Sequence, residues 1–398
     1  MSKTTTPPTL PELVDRARAL APLLRAWAPR HEASRRVSDE AIAAMREAGL
    51  FRIMQPAACE GWDMHPRALF EVAREIARAD TASGWILCLA GVHPWLLGMF
   101  EPRFQDEVFA QGRDAVVPVL SGGVGRGVQV ALEDGTIRLS GRWLYASGVD
   151  VADWLCVMVP VPGAHGEIEQ RLAAVPRSAF AVDEASWQVS SMRGTGSKDV
   201  TLTDERVPLY RTISWPDAQR GIYPGAVRND GPMYRMPLNA VFALCTAMGV
   251  VGGAFGLLDA VVELGRKRIA NATSVAQADD RYNQIELGQG AAQIHMAYRL
   301  ILSDVEEMHD QATRGQPFTV EQRARYRADA ALASRMALAA STRLVATCGG
   351  AILPHGPVQR FFHDMHGMAS HFLLQAEVGG ELYGKALYGL ELPPNTRL

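Results

Sequence analysis

An α+β fold in three consecutive units is predicted by two changes of hydrophobic period along the 398 residues and by the lack of strand–helix alternation. Up to about residue 114 apolar side chains recur every three or four positions, from 115 to 236 they alternate, and after Pro237 helical spacing returns to about Leu390. Helices, then strands, then helices cannot build a parallel doubly wound sheet, which needs the two element types interleaved. The expected organisation is an N-terminal helical domain (1–114), a middle antiparallel β-barrel or sandwich (115–236) and a C-terminal four-helix bundle (237–398).

In the first unit, Leu10, Leu13, Val14, Ala17 and Leu20 mark one helical face. Ile42 and Met45 follow a Ser38 cap and stop at Gly49, and Phe70, Val72, Ile76 and Ala77 mark a helix begun near Pro66. In the second, Val116 to Leu120 reads as a strand. Val128, Val130 and Leu132 run to a hairpin turn at Asp134-Gly135, and Ile137 and Leu139 leave it. Further strands are expected at 154–161, 172–182 and 200–207. Residues 215–236, with Pro216, Gly221, Pro224, Gly225, Gly231 and Pro232, read as a long loop. In the third unit Leu287, Ala291, Ile294, Tyr298, Ile301, Val305 and Met308 step along one bundle helix.

Composition narrows the function. Hydrophobic residues at 48% and charged ones at 21% suit a packed globular chain. A net charge of −3 leaves no cationic surplus to neutralise phosphates, which argues against nucleic acid as a partner. The opening Met-Ser-Lys-Thr-Thr-Thr-Pro-Pro has no apolar core and reads as a frayed tail rather than an export signal. The apolar run Val241 to Leu258 is interrupted by Gly249, Gly252, Gly253 and Gly256 and reads as a buried helix, not a membrane span. Five scattered cysteines without a CxxC pair point to reduced thiols and a cytoplasmic location.

The familiar nucleotide motifs fail. Gly122-Gly123-Val124-Gly125-Arg126-Gly127 misses GxGxxG and precedes a hairpin, and Gly194-Thr195-Gly196-Ser197-Lys198 lacks the Gly-Lys of a phosphate loop. His363 and His366 lie one turn apart but have no carboxylate at matching spacing, so no metal site is expected. His371 is read as continuing the helix of Asp364 on nearly the same face. The most telling stretch is Ser140 to Trp154, where an aromatic strand ends on a small hydroxyl, Ser147, backed by Gly148. Loss of bulk there suits the approach of a flat ligand.

Four segments in fixed order carry a resemblance. They are Ser83-Gly84-Trp85 with Gly91-Val92-His93-Pro94-Trp95; Gly141 to Gly148; Ser191-Met192-Arg193-Gly194-Thr195-Gly196-Ser197-Lys198-Asp199-Val200; and Gln359 to Asp364 running on to His371 and Gly380-Glu381-Leu382-Tyr383-Gly384. Together with the order of units they resemble the acyl-CoA dehydrogenase superfamily. The closer likeness is to its flavin-dependent monooxygenases, such as the oxygenase component of p-hydroxyphenylacetate hydroxylase and the steroid-ring and dibenzothiophene oxygenases.

The resemblance implies a two-component enzyme. A separate reductase supplies reduced FMN or FAD, dioxygen adds to give a C4a-hydroperoxide, and an aromatic, phenolic substrate is hydroxylated. It implies Ser147 beside flavin N5, His93 accepting a phenol proton, His371 donating to the developing oxyanion, and Trp85 and Ser121 at the substrate. Arg193, Thr195 and Ser197 are implied near the flavin. Arg266, with Arg268 as second choice, is implied at its phosphate, and Gly349-Gly350 at a neighbouring subunit of a homotetramer. Residues 215–236, with Tyr223 and Tyr234, are expected to cover the substrate mouth. Two alternatives share the fold: an acyl-CoA dehydrogenase, which would need a carboxylate base such as Glu377 or Glu381, and a scaffold without catalysis.

Overall fold

The computed structural model describes residues 7–110, 114–123, 125–162, 167–269, 276–393 and 396–398. The expectation for the first six residues, and Val124 of the glycine-rich run, lie outside the described residues.

Five helices open the chain: α1 (Leu10–Ser34), α2 (Asp39–Glu47), α3 (Pro66–Ala79), α4 (Thr81–Leu97) and α5 (Pro102–Ala110). Their starts are chemically marked. Thr9 and Glu12 form a reciprocal capping box on α1, Ser38 accepts from Ala41 N on α2, and Asp80 accepts from Ser83 N on α4. Gly49 takes the left-handed conformation just after α2.

The middle consists of two four-stranded sheets. One has the order β1 (Val119–Leu120), β4 (Trp154–Pro162), β5 (Ile168–Pro176), β8 (Thr212–Ser214). The other has the order β2 (Arg126–Glu133), β3 (Thr136–Ala146), β7 (Lys198–Pro208), β6 (Phe180–Asp183). Ile137, Leu139, Trp143, Val200 and Leu202 of the second sheet form one buried cluster with Leu155, Val157, Val159, Ala173 and Val175 of the first. The hairpin turn at Asp134-Gly135 has positive φ at both residues.

Three expectations here need correction. The 172–182 strand is two strands separated by a turn of 3-10 helix at Arg177–Ala179. The strand expected from Val116 pairs only at Val119 and Leu120, and it runs parallel to β4 rather than antiparallel. Before it, Asp153 takes the strand's hydrogen bonds, accepting from Val116 N at 2.8 Å and donating its own N–H to Val116 O. The stretch 215–236 is not an open loop, because α6 (Trp215–Gln219) and two short 3-10 turns organise it.

The rest is helical: α7 (Leu238–Lys267), α8 (Arg281–Thr313), α9 (Val320–Ala346), α10 (Pro357–Ala369) and α11 (Ala376–Leu387). Every residue of α7 from Leu238 to Leu257 is buried. A helix apolar on all sides belongs at the centre of a bundle. It is long and apolar enough to cross a membrane, but α3, α4, α8, α9 and α10 surround it. The α+β fold with helical, β and helical units is the one observed.

Candidate active site

A cavity of about 880 Å³ lies where the three units meet. Helix α4 contributes Trp85, Leu89 and His93, the end of β1 contributes Leu120 and Ser121, and the end of β3 contributes Trp143, Tyr145 and Ser147. Trp187 to Met192, Ser197, Phe242 and Thr246 of α7, and Ser370 to Leu373 also line it, and Arg126 at the start of β2 adds a cationic side chain. The walls are aromatic and hydroxylic, and none of the described lining residues is Asp or Glu. An aromatic ligand can gain apolar contact here and still find a few fixed polar groups.

Ser147 reaches the cavity because β3 breaks its own register. Between Trp143 and Ala146 one extra residue opposes β7, and Tyr145 adopts φ +65°. Such a bulge bends the strand and re-aims its side chains. Tyr145 swings out, 66% exposed, to meet Trp187 edge-on. Gly148 follows at φ +81°, a conformation that strains any residue with a Cβ. The Ser147 hydroxyl accepts from Trp85 Nε1 at 3.2 Å and lies 2.7 Å from Ser197 Oγ, which lies 2.8 Å from Thr195 Oγ1.

Two histidines face the same cavity in opposite tautomers. His93 Nδ1 is 2.7 Å from Val117 O, and a carbonyl only accepts, so Nδ1 carries the proton. Burial pushes the ring down to about 4, so it is neutral at physiological pH and Nε2 is a bare acceptor. His371 does the reverse. Its Nδ1 accepts from Leu373 N at 3.3 Å, and burial, helped by the Arg327 charge, pushes it also to about 4, so the proton sits on Nε2 as a donor. Its ring meets Trp85 edge-on at 5.6 Å. Burial thus takes His93 well below the near-neutral range of a free imidazole. His371 does not continue a helix with Asp364, since α10 ends at Ala369 and His371 caps the 3-10 turn Phe372–Leu374.

Six expected residues thus line one cavity: Trp85, His93, Ser121, Ser147, Ser197 and His371. Thr195 stands behind Ser197, buried, and reaches the cavity only through it. Arg193 does not line it. Arg266 lies at the exposed end of α7 in a separate groove with Leu258, Glu263 and Leu287, so a role at this cavity would need a second copy of the chain. Arg268 is occupied within the chain, donating to Cys348 O beside Gly349, which has φ +51°.

Residues 215–236 do not cover the mouth, because none of them lines the cavity. Gly225 N bonds Met99 O and Asn229 Nδ2 bonds Gly98 O, which ties the segment to the end of α4. Glu377 and Glu381 pair with Arg335 and Lys385 on the outside of α11. Neither lines the cavity, so neither is placed to act as the base that dehydrogenase chemistry would need there. His363 and His366 bond Gln359 and Phe362 O on α10.

Sequence reasoning missed the residues that hold the site together. Asp364 accepts from Met192 N at 2.5 Å and from the hydroxyl of Thr81, joining α10, the 191–197 loop and α4. Burial raises its carboxyl to about 6 against these bonds. Buried His31 pairs with Asp80 at 3.0 Å and touches Ser38 at 3.3 Å, linking the caps of α4 and α2 beneath that loop. The sequence marks Ser38 as a cap and Asp364 as the end of a shared segment, but nothing local pairs them with His31, Thr81 or Met192. Trp187, Phe242 and Phe372 line the cavity with no local motif at all.

Residues 244–376 match the acyl-CoA dehydrogenase C-terminal domain. Over 381 residues the chain is 30% identical to the flavin-dependent monooxygenase oxygenase subunit HsaA of Rhodococcus jostii, covering 95% of this chain and 99% of that one. It is 32% identical to the oxygenase component of the FADH2-dependent resorcinol hydroxylase of Rhizobium sp., covering 95% and 94%. The solved structure of XiaF from Streptomyces sp., in complex with FADH2 and glycerol, aligns at a TM-score of 0.90 and 26% identity over 98% of each chain. A carboxylate-free aromatic cavity with its hydroxyl at a broken strand end thus sits in a chain that aligns with these enzymes from end to end. The chain belongs to the oxygenase subunits of the flavin-dependent monooxygenases, built on the acyl-CoA dehydrogenase fold.

Proposed function

We propose that this chain hydroxylates a phenolic small molecule, taking reduced FMN or FAD from a separate reductase and using dioxygen. The observation that carries the reading is the pair of oppositely polarised neutral histidines across one carboxylate-free cavity. That resorcinol, a phenol, names one relative's substrate supports the same class.

The cavity fits a reduced flavin. Trp85, Trp143 and Trp187 offer flat apolar surface, and Ser147 offers a fixed hydroxyl to a polar atom on the ring edge. When bound, reduced flavin supplies the activation of dioxygen. The protein's residues do the rest. His93 Nε2 accepts the phenol O–H and draws electron density into the ring. Full transfer from a phenol near 10 to an imidazole near 4 is uphill by roughly 8 kcal/mol in the resting complex, so the proton moves only as the ring is attacked. His371 Nε2–H donates to oxygen-bound negative charge as it develops. The aromatic walls exclude water that would otherwise divert the oxidant.

Assembly as a homotetramer, a cytoplasmic location, the division at residues 114 and 236, and Arg266 on a flavin phosphate across a subunit interface belong to the same reading. Tyr282 and Met296 of α8, each 62% exposed, and Tyr388 after α11, 84% exposed, supply apolar surface for self-association. Anaerobic fluorescence titration tests the reading. It predicts tight binding of reduced FMN or FAD and weak binding of the oxidised forms, while binding of neither form, or equal binding of both, contradicts it.

A further inference from the structure

We propose that Thr195 and Ser197 act as positioning residues that fix the direction of a three-hydroxyl chain, making Ser147 an acceptor toward the cavity and thereby selecting the reduced form of the flavin. The inference rests on the flavin reading above and adds to it the origin of redox-state discrimination.

The chain starts at Met192 O, which can only accept. Thr195 Oγ1 lies 2.9 Å from it, and two oxygens at that separation without a proton between them would set lone pair against lone pair. The proton of Thr195 therefore points at Met192 O. The contact of 2.8 Å between Thr195 and Ser197 must then be filled by the proton of Ser197, and that of 2.7 Å between Ser197 and Ser147 by the proton of Ser147. Ser147 is left with no proton to offer. One of its lone pairs takes Trp85 Nε1–H at 3.2 Å, and the other faces the cavity.

The starting carbonyl cannot turn away. Its oxygen also accepts from Thr195 N at 3.0 Å and shares Trp187 Nε1–H, 3.3 Å away, with Arg193 O at 3.1 Å, and the N–H of the same residue is held by Asp364 at 2.5 Å. Thr195 and Ser197 are each 2% exposed, so water has little access to relax the chain. Reversing it requires all three hydroxyls to turn together and leaves Thr195 facing Met192 O without a proton.

Flavin chemistry makes this direction selective. In reduced flavin N5 carries a hydrogen and donates, whereas in oxidised flavin N5 presents a lone pair and accepts. An acceptor-only Ser147 pairs with the first and opposes the second. A tethered chain also distributes polarisation along its length, so the outer bond depends on the inner ones.

The test is anaerobic titration of wild type, Thr195→Val, Thr195→Ser and Ser197→Ala with reduced and oxidised FMN and FAD, read as the ratio of the two dissociation constants. Valine keeps the shape and removes the anchor. Serine keeps the hydroxyl. Thr195→Val and Ser197→Ala are expected to lower the preference for reduced flavin by about tenfold, with oxidised flavin binding more tightly, and Thr195→Ser to retain it. An unchanged ratio in either Thr195→Val or Ser197→Ala, with circular dichroism matching wild type, overturns the inference while leaving the flavin reading intact. Wild type that binds neither form overturns the flavin reading and the inference with it.

Discussion

Replacing His93 by Asn separates the two jobs of this ring. The amide nitrogen of Asn occupies roughly the place of Nδ1 and can still donate to Val117 O, now 2.7 Å from the imidazole, while the Nε2 acceptor disappears. The buried carbonyl therefore keeps its partner and avoids the roughly 1–3 kcal/mol penalty of being stranded. The smaller side chain leaves a small void in a site 5% exposed, which costs about 1–2 kcal/mol of stability. The chemical loss is larger. A positioned acid–base group contributes about 10²- to 10⁴-fold to rate, so hydroxylation should slow by at least about 100-fold while reduced-flavin affinity holds. Rapid mixing of the reduced-flavin complex with oxygen and phenol, scored by product formed against hydrogen peroxide released, measures this. A hydroxylation rate within about threefold of wild type would refute the role assigned to Nε2.

Other perturbations probe different parts of the site. Asp364→Asn turns one acceptor toward the N–H of Met192 into a donor or leaves Thr81 unmatched; loss of a charged, buried bond should cost roughly 1.5–3 kcal/mol in urea unfolding and weaken reduced-flavin binding, and wild-type values for both would count against the bridging role. His371→Ala should raise peroxide release at the expense of product, and full product yield would remove it from the chemistry. Because His93 and His371 stay neutral down to about 4, neither should titrate between pH 7 and 5; a step near 6 belongs to Asp364 and should vanish in Asp364→Asn, whereas a midpoint near 6.5 that survives in that variant would contradict the buried tautomers. Stability follows the same sign. Between pH 6.5 and 4 the unfolded chain takes a proton on His93 that the folded chain refuses, so the folded state loses roughly 3 kcal/mol across that window, and His93→Asn should lack that part of the slope in urea unfolding at pH 7 and 4.5.

The order of units was legible because helix and strand periods differ and the changes fall near glycine and proline. The caps Thr9-Glu12 and Ser38 and the Asp134-Gly135 hairpin obey local rules, and local rules are what a sequence displays. Trp85, His93, Ser121, Ser147 and His371 were legible through resemblance, and they meet in one cavity although 286 residues separate Trp85 from His371. What could not be read was whatever depends on tertiary contact. The depressed titration of His93 comes from burial, and the bond to Val117 exists because that carbonyl lies just before β1 pairs with β4. The bulge at Tyr145 needs β7 opposite it to be defined. Residues 215–236 looked like a lid because they are rich in glycine and proline, yet Gly225 is there to let two backbones approach, since a Cβ on it would lie 2.1 Å from Gly98 O.

The most direct test of the central claim is the fate of dioxygen. Wild-type protein given chemically reduced flavin, a panel of phenols and oxygen-18 gas should yield a ring-hydroxylated product carrying one labelled oxygen, with the second released in water. A labelled product from at least one phenol is the result predicted. Oxidation of the flavin that returns all label as hydrogen peroxide across the panel would contradict the account.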